Sequence, residues 1–276
     1  MKQKFFDRNL IKIEWNFFSI IATIVGVFIG LVDFEAKIKI GILIGVIIAL
    51  IVFYISLFIY YKYFCKKVSL TIGKVNLNIK VGDLFEEEGM KVIPVNEYFD
   101  TIVDDKLISK TSIHGLFVNK FLKNGTIEDL DNRISSELSN YTNTKNEKRS
   151  VGKKEKYKIG TTIIIDEYVL TAFTKFNSKN EAYLSMPEYL VFLNDFWNEI
   201  SRVHNGRIIN VPIIGTGISR INPVLSEQEY LEQIIWSLKT STLITSKSKV
   251  NIIVYSGDKQ KISLVKLKEM FKKLDL

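Results

Sequence analysis

Two glycines bracket a threonine at Gly215-Thr216-Gly217, directly after the apolar run 208–214 and before Ile218, Ser219 and Arg220. A strand that enters such a turn leaves main-chain N–H groups without carbonyl partners, and a row of free amides suits an anion, phosphate being the natural guest. A Gly-Thr-Gly turn by itself is more often only a tight turn. Two further strand ends carry polar groups of a suitable kind: Gly82-Asp83-Leu84 after one alternating run, and Asn96 after another, which opens into a loop reaching Gly115. In an open α/β sheet ligands bind beyond the carboxyl ends of the strands, so these ends together make one candidate anion site.

The remaining inventory limits other chemistries. The 276 residues include 2 histidines and 1 cysteine. Cys65 therefore has no intrachain disulfide partner and no thiolate companions for structural zinc, which suits a reducing, cytosolic soluble part. No metal or cofactor is expected. No Ser-His-Asp arrangement is visible, and few groups are available for general acid–base work, although Asp or Glu could serve. His114 reads either as a ligand contact or as a histidine hydrogen-bonded at a helix start; His204 reads as a surface residue, and Asp100 and Asp104 as solvated groups or helix caps. The formal charge is +8, with 38 basic and 30 acidic side chains. Because acids and lysines are interspersed along most of the soluble part, the excess reads as solubilising lysine, and nucleic acid is not an expected partner. The basic segment 261–273 keeps a lipid- or nucleic-acid-binding module as a further reading.

The elements that position these groups follow from the hydrophobic period. Val68, Leu70 and Ile72, then Val75, Leu77, Ile79 and Val81, alternate about Gly73-Lys74 and predict a β-hairpin. Residues 91–95 read as a buried strand broken by Pro94 and closed by Asn96. A helix is expected from near Gly115, and another from a Thr126 cap with Asp129 in the capping-box position. Residues 140–158, rich in Asn, Thr, Lys and Glu, read as a mobile surface loop, or else as a dispensable linker. Two strands follow over 161–165 and 168–176. Tyr189, Leu190, Leu193, Phe196, Trp197 and Ile200 then recur at helical spacing over 186–203. After the strand at 208–214, Ser226 and Glu229 cap a further helix, 250–255 is a last strand, and a basic amphipathic helix follows. Strands alternating with helices after an initial hairpin imply an α/β/α sandwich around a mixed, centrally parallel sheet.

Ahead of this lies a different kind of sequence. Residues 15–32 and 40–61 carry no charged side chain. As helices of about 18 and about 22 residues they measure roughly 27 and roughly 33 Å, enough to cross a bilayer. The short connection 33–39 forces an antiparallel transmembrane hairpin, giving a division into an anchor over 1–64 and a soluble domain over 68–276. Lys2, Lys4, Arg8 and Lys12 precede the first span and Lys62, Lys66 and Lys67 follow the second, whereas the two lysines of the connection are offset by two acids. The positive-inside bias then puts both termini and the soluble domain in the cytoplasm, at the inner (plasma) membrane. Gly26 with Gly30 and Gly41 with Gly45 form two GxxxG motifs, which serve packing either within one hairpin or between chains. Neither span holds an ionisable residue, so permeation would require assembly into a homo-oligomer.

Over residues 68–276 the soluble part resembles a macro domain, the ADP-ribose-binding α/β module. The resemblance rests on Gly82-Asp83-Leu84, on Val92-Ile93-Pro94-Val95-Asn96, and on Ile213-Ile214-Gly215-Thr216-Gly217-Ile218, in that order and spacing. It implies that Asp83, beside Leu84, takes the adenine amino group, Asn96 the distal ribose, and Gly215 to Ser219 the diphosphate, with Tyr255 a candidate for stacking on adenine. Ser112-Ile113-His114-Gly115 stands where the family has a glycine loop, so Ser112, His114 and Gly115 would contact the phosphates or a modified distal end. Macro domains that remove ADP-ribose from proteins usually carry a second asparagine and a run of glycines, but here Glu97, Tyr98, Phe99 and Asp100 follow Asn96, which argues against hydrolysis. The combination with a two-span hairpin resembles the membrane effectors of Thoeris-type antiphage defence. That resemblance implies a non-enzymatic receptor for an ADP-ribose-derived signal made from NAD by a TIR-domain partner, histidine-linked in one branch. A membrane-tethered ADP-ribosyl hydrolase is the alternative.

Overall fold

The computed structural model describes residues 5–32, 34–217, 219–245 and 247–271, with Gln260 by its backbone alone. Two long helices come first, α1 (Arg8–Leu31) and α2 (Ala36–Ile59), the second prolonged by a wider helical turn, Tyr60–Phe64. Asp7 caps α1 by accepting from the Asn9 N–H at 2.8 Å, which starts the helix ahead of the charge-free run. The helices meet through aromatic rings, Phe17 on Phe53 at 5.0 Å and Phe5 on Phe58 at 5.1 Å between centroids. Protein covers 0% of the most apolar stretch of the first helix and 6% of the second. A core helix of a soluble domain would be mostly covered, so length, composition and exposure together make these candidate membrane spans. A Cβ built on Gly26, Gly30, Gly41 or Gly45 meets nothing within 4 Å. The two GxxxG faces are therefore not what joins the helices within one hairpin.

The soluble part contains β1 (Lys67–Ile72), β2 (Val75–Val81), β3 (Met90–Asn96), α3 (Ile113–Phe121), α4 (Ile127–Leu138), β4 (Asn143–Lys145), β5 (Glu155–Tyr157), β6 (Thr162–Ile165) and β7 (Tyr168–Phe176). It continues with β8 (Ala182–Ser185), α5 (Met186–Val203), β9 (Ile209–Pro212), β10 (Ile221–Asn222), α6 (Glu227–Thr240), β11 (Ser248–Val254) and α7 (Leu264–Phe271). The main sheet runs β1-β2-β11-β9-β3-β7-β8-β10, with β6 also paired to β7. Strands β2, β11, β9, β3 and β7 are mutually parallel, β1 runs against β2, β6 and β8 run against β7, and β10 is parallel to β8. On one face α5, α6 and α7 pack over Val92, Val169, Val211 and Ile252; on the other α3 and α4 cover Ile93, Val95, Leu170 and Ile253. This is the mixed α/β/α sandwich of a macro domain. Capping boxes start α4, α5 and α6 at Thr126/Asp129, Ser185/Glu188 and Ser226/Glu229.

A line of amides crosses the sheet. The Ser69 hydroxyl donates to Asn78 Oδ1, Asn78 Nδ2 to Asn251 Oδ1 and Asn251 Nδ2 to Asn210 Oδ1. Asn210 Nδ2 ends the line on the carbonyls of Glu88 and Met90. Asn78, Asn251 and Asn210 are register partners on β2, β11 and β9, and all are buried. A slip of any one strand would orphan buried amides, so the line pins the register that brings the carboxyl ends of these strands level.

The base of the hairpin is built into this domain. Leu10, Tyr61 and Cys65 are buried in the same core as Leu264, Leu267 and Phe271 of α7. Lys12 pairs with Glu269 at 3.6 Å, and Lys259 Nζ donates to the Tyr63 carbonyl at 3.2 Å.

Several sequence-based expectations are corrected. Pro94 does not break its strand: β3 runs through it, with Pro94 opposite Thr171 of β7. Residues 140–158 are not a dispensable loop, because β4 and β5 pair there and Arg149 within it is buried. Asp100 is likewise buried, with Arg149 as its partner, whereas Asp104 does cap a turn by accepting from Lys106 N and Leu107 N. His204 is buried rather than superficial, its Nδ1 accepting from the Gly206 N–H at 3.0 Å. Strands β8 and β10 add to the strands that the hydrophobic pattern predicts, and residues 272–273 of the basic segment lie outside the described residues.

Replacing Asn251 by leucine is expected to leave Asn78 Nδ2 and Asn210 Oδ1 without partners. The expected loss of about 2–6 kcal/mol follows from about 1–3 kcal/mol for each of these two orphaned buried polar groups, measured by denaturant unfolding of the full chain in detergent.

Candidate functional site

Because the central strands are parallel, their carboxyl ends share one edge. Asp83 follows β2, Tyr255 follows β11, the segment 213–219 follows β9, and Asn96 ends β3. The Gly82 N–H donates to the Val254 carbonyl at 3.0 Å, which locks the first two of these ends together. Asp83 and Tyr255 are exposed, and Asp83 Oδ1 accepts from Phe85 N at 2.9 Å, leaving its second oxygen for another donor.

Between β9 and β3 the sheet parts. These strands pair only at Met90 with Ile209 and Lys91 with Asn210. The Met90 N–H donates to the Ile208 carbonyl, so strand alternation turns Pro94 and Pro212 toward the same gap. A proline has no N–H to give, so neither residue can extend the ladder across it. The ladder thus stops short of Asn96 on one side and the Gly215 turn on the other, and the gap between them is the candidate ligand crevice.

In that turn the carbonyls are tied down. The hydroxyls of Thr216, Tyr189 and Ser219 donate to the carbonyls of Ile213, Ile214 and Gly215 at 2.9, 2.9 and 3.1 Å. Among the described residues no acceptor meets the N–H groups of Gly215, Thr216 or Gly217. Gly215 has φ +109, and a Cβ there would stand 2.8 Å from the Tyr230 ring, whereas one on Gly217 would meet nothing within 4 Å. The first glycine is required by the backbone and the second leaves room above it. Ile218 lies outside the described residues.

Asn96 is buried, and a register shift between Val95 and Asn96 in the pairing with β7 re-aims it. Its Oδ1 accepts from the N–H groups of Tyr98 and Asp100, while its Nδ2 has no partner. Ser112 caps α3, its hydroxyl accepting from Gly115 N at 3.0 Å and donating to the Ser109 carbonyl at 2.7 Å. Gly115 is needed for packing, since a Cβ would stand 2.2 Å from the Ser109 carbonyl oxygen; Ile113 is half-buried beside them. His114 is buried, and burial holds its pKa down to about 4, against the opposing pull of Asp100. It is therefore neutral at pH 7. Among the described residues no group of three or more His, Cys, Asp or Glu is arranged to hold a metal.

A separate cavity of about 420 Å³ lies at the opposite edge of the sheet, by the start of β7, lined by Lys120, Phe121, Arg133, Asp166 and Tyr168 among others. Its charges are already matched: Arg133 makes a two-pronged pair with Asp166, and Lys120 donates to the Phe85 carbonyl. It offers no unpaired group to a ligand comparable to the free amides at the carboxyl edge.

A family model described as the macro domain of Thoeris protein ThsA matches residues 77–255. The chain belongs to this ThsA family. The match runs from within β2 to Tyr255 and so takes in every candidate site residue. Thoeris protein ThsA from Bacillus amyloliquefaciens (strain Y2) is 32% identical over 262 residues, covering 92% of this chain and 88% of that one. Similarity to that ThsA thus extends beyond the macro domain into the apolar N-terminal helices. Among solved structures, a macrodomain variant from Oceanobacillus iheyensis superposes with a TM-score of 0.51 at 16% identity, covering 76% of this chain and all of that one, which establishes the fold alone.

Substituting alanine at Gly215 is expected to distort the turn and weaken ligand binding far more than the same change at Gly217, as read by calorimetric titration of each variant with ADP-ribose. For His114, the unfolded state binds a proton below about pH 6.5 that the folded state refuses until about pH 4. Stability is expected to fall across that window as pH drops, and less so in His114→Gln; equal pH dependence of the two melting curves would contradict the burial of this ring.

Proposed function

We propose that this chain is a membrane-anchored receptor of Thoeris defence, whose cytoplasmic macro domain binds an ADP-ribose-derived signal produced by a TIR-domain partner. The observation that carries the reading is the pairing of two unmet donor sets across one crevice: the free amides of the Gly215 turn and the buried, unpartnered Nδ2 of Asn96. A nucleotide diphosphate carries acceptors suited to both, anionic oxygens for the amides and a ribose hydroxyl for the asparagine. Asp83 and Tyr255, on the neighbouring strand ends, are placed to meet a base, the carboxylate by accepting from an amino group and the ring by stacking. Membership of the ThsA family supports this assignment of ligand class.

The response is proposed to be association of the hairpins. Their glycine faces are open to a neighbour, and lipid gives no hydrophobic drive that would cover them otherwise. Tyr255 leads through the turn Ser256–Lys261 to α7, and Lys259 on that turn holds the Tyr63 carbonyl at the base of α2, so the site edge and the hairpin share a short, directly bonded connection. A ligand shifts such an equilibrium only as far as it binds the clustered state more tightly than the resting one. Clustering then compromises the bilayer. A histidine-linked ADP-ribose is among the signals the crevice is proposed to accept, and turnover is not part of this reading.

With the full chain in detergent, ADP-ribose is expected to bind, and Asp83→Ala or Asn96→Ala to weaken binding at least about tenfold, equivalent to about 1.4 kcal/mol. Absence of binding by the unchanged chain would sink the proposal; release of free ADP-ribose from a modified protein would favour the hydrolase. In cells, co-expression with a signal-producing TIR protein is expected to arrest growth only when the hairpin is present, and normal growth despite confirmed signal would count against the membrane step.

A further inference from the structure

The segment joining α4 to β6 is polar enough to pass for a linker, yet it carries the most buried ion pair among the described residues to one wall of the crevice. Side chains of Arg149 and Asp100 are 4% and 0% exposed. Arg149 Nη1 and Nη2 donate to the two oxygens of Asp100 at 3.0 and 2.7 Å, Nη1 also to the Lys153 carbonyl, and Nε to Asn180 Oδ1. The guanidinium lies 3.8 Å from the Tyr98 ring centre, with Phe176 at 5.5 Å. Gly152, at φ +87, makes room for the pair: a Cβ there would stand 2.6 Å from Asp100 Oδ1.

Asp100 is a junction. Its carboxylate takes Arg149 and the Lys153 N–H, and its own N–H donates to Asn96 Oδ1. The short turn between Asn96 and Asp100 contains Phe99 at φ +51, a conformation that side-chain-bearing residues rarely adopt. Such a turn persists only where its surroundings hold it. The holding comes from the β4–β5 segment, through Arg149, through the Tyr157 N–H on the Glu97 carbonyl, and through the Tyr157 ring against Phe99. A buried ion pair is a poor device for stability alone, since two apolar side chains of similar size often serve as well or better.

We propose that Arg149 is a positioning residue of the nucleotide crevice: through Asp100 it sets the orientation of the Asn96 amide without touching the ligand. The inference rests on the reading of the crevice as a site for an ADP-ribose-type nucleotide.

The test pairs affinity with stability in the full chain in detergent, using ADP-ribose as the probe. Arg149→Met leaves a buried carboxylate alone and is expected to lower both the melting temperature and the affinity, the latter at least tenfold. Adding Asp100→Leu to Arg149→Met removes the stranded charge, so the melting temperature is expected to recover while the affinity does not. Arg149→Lys keeps the charge without the two-pronged geometry and is expected to fold and to bind less tightly than the unchanged chain. Wild-type affinity in the double variant or in Arg149→Lys would overturn the proposal, because a merely structural pair would give back binding together with stability. If Asn96→Ala binds as the unchanged chain does, the crevice reading itself falls; if Asn96→Ala is weakened and the double variant is not, only the role of Arg149 falls.

Discussion

The site depends on two strands that stop pairing. Pro94 on β3 and Pro212 on β9 turn toward the same gap, and neither has an N–H with which to carry the ladder forward after Lys91 and Asn210. A continuous ladder there would bring the Gly215 turn against the end of β3 and close the crevice. The missing donors cost the fold little, because β3 keeps its pairing with β7 and β9 its pairing with β11 on their other edges. A proline in a central strand is normally an objection to that strand. Here it marks the place where the sheet divides.

A parted sheet still needs its halves held in register, and the two halves achieve this differently. On the β2-β11-β9 side the buried asparagines link neighbouring strands amide to amide, so that the ends bearing Asp83, Tyr255 and Gly215 come level. On the β3-β7 side the same end of the sheet is held from outside, by Arg149 on Asp100 and by Lys156 on Glu97, which also accepts from the Phe176 N–H. Both devices are polar and buried, and in each a lost partner leaves an unmet group away from water. The macro domain thus presents free main-chain donors at one edge while its side-chain donors and acceptors are largely occupied in holding that edge in place. The hairpin adds a second unusual boundary. Its base is continuous with the core beneath α7, while the glycine faces farther along it are open.

Much of the soluble fold was legible in sequence where a period was long and its ends were marked. The β-hairpin about Gly73-Lys74, the helix over Met186–Val203 and the capping boxes at Thr126 and Ser226 all fall where their patterns place them. The segment 140–158 misleads because it has almost no apolar residues to report its burial, and its anchoring is done by an arginine whose partner lies 49 residues away. Strands β8 and β10, of 4 and 2 residues, are too short to show a period. His204, just after α5, looks superficial in one dimension, since nothing in its neighbouring residues marks it as buried. The recurring misreading was of polar residues: a charged or amide side chain looks solvated until its distant partner is known.

By itself, the sequence determined two charge-free runs long enough to cross a bilayer as helices, an α/β domain behind them, and three strand ends bearing glycine, aspartate and asparagine in the order a macro domain requires. Those conclusions rest on local properties, apolar length, period and turn chemistry, which neighbouring residues settle among themselves. Tertiary structure alone decided that the two prolines face one gap, that Asn96 keeps an unmet N–H₂ while Asp100 and Arg149 close on each other, and that the glycine faces of the hairpin stay uncovered. These are relations between atoms far apart in the chain, and they take definite form only when the sheet register brings both members to the same place.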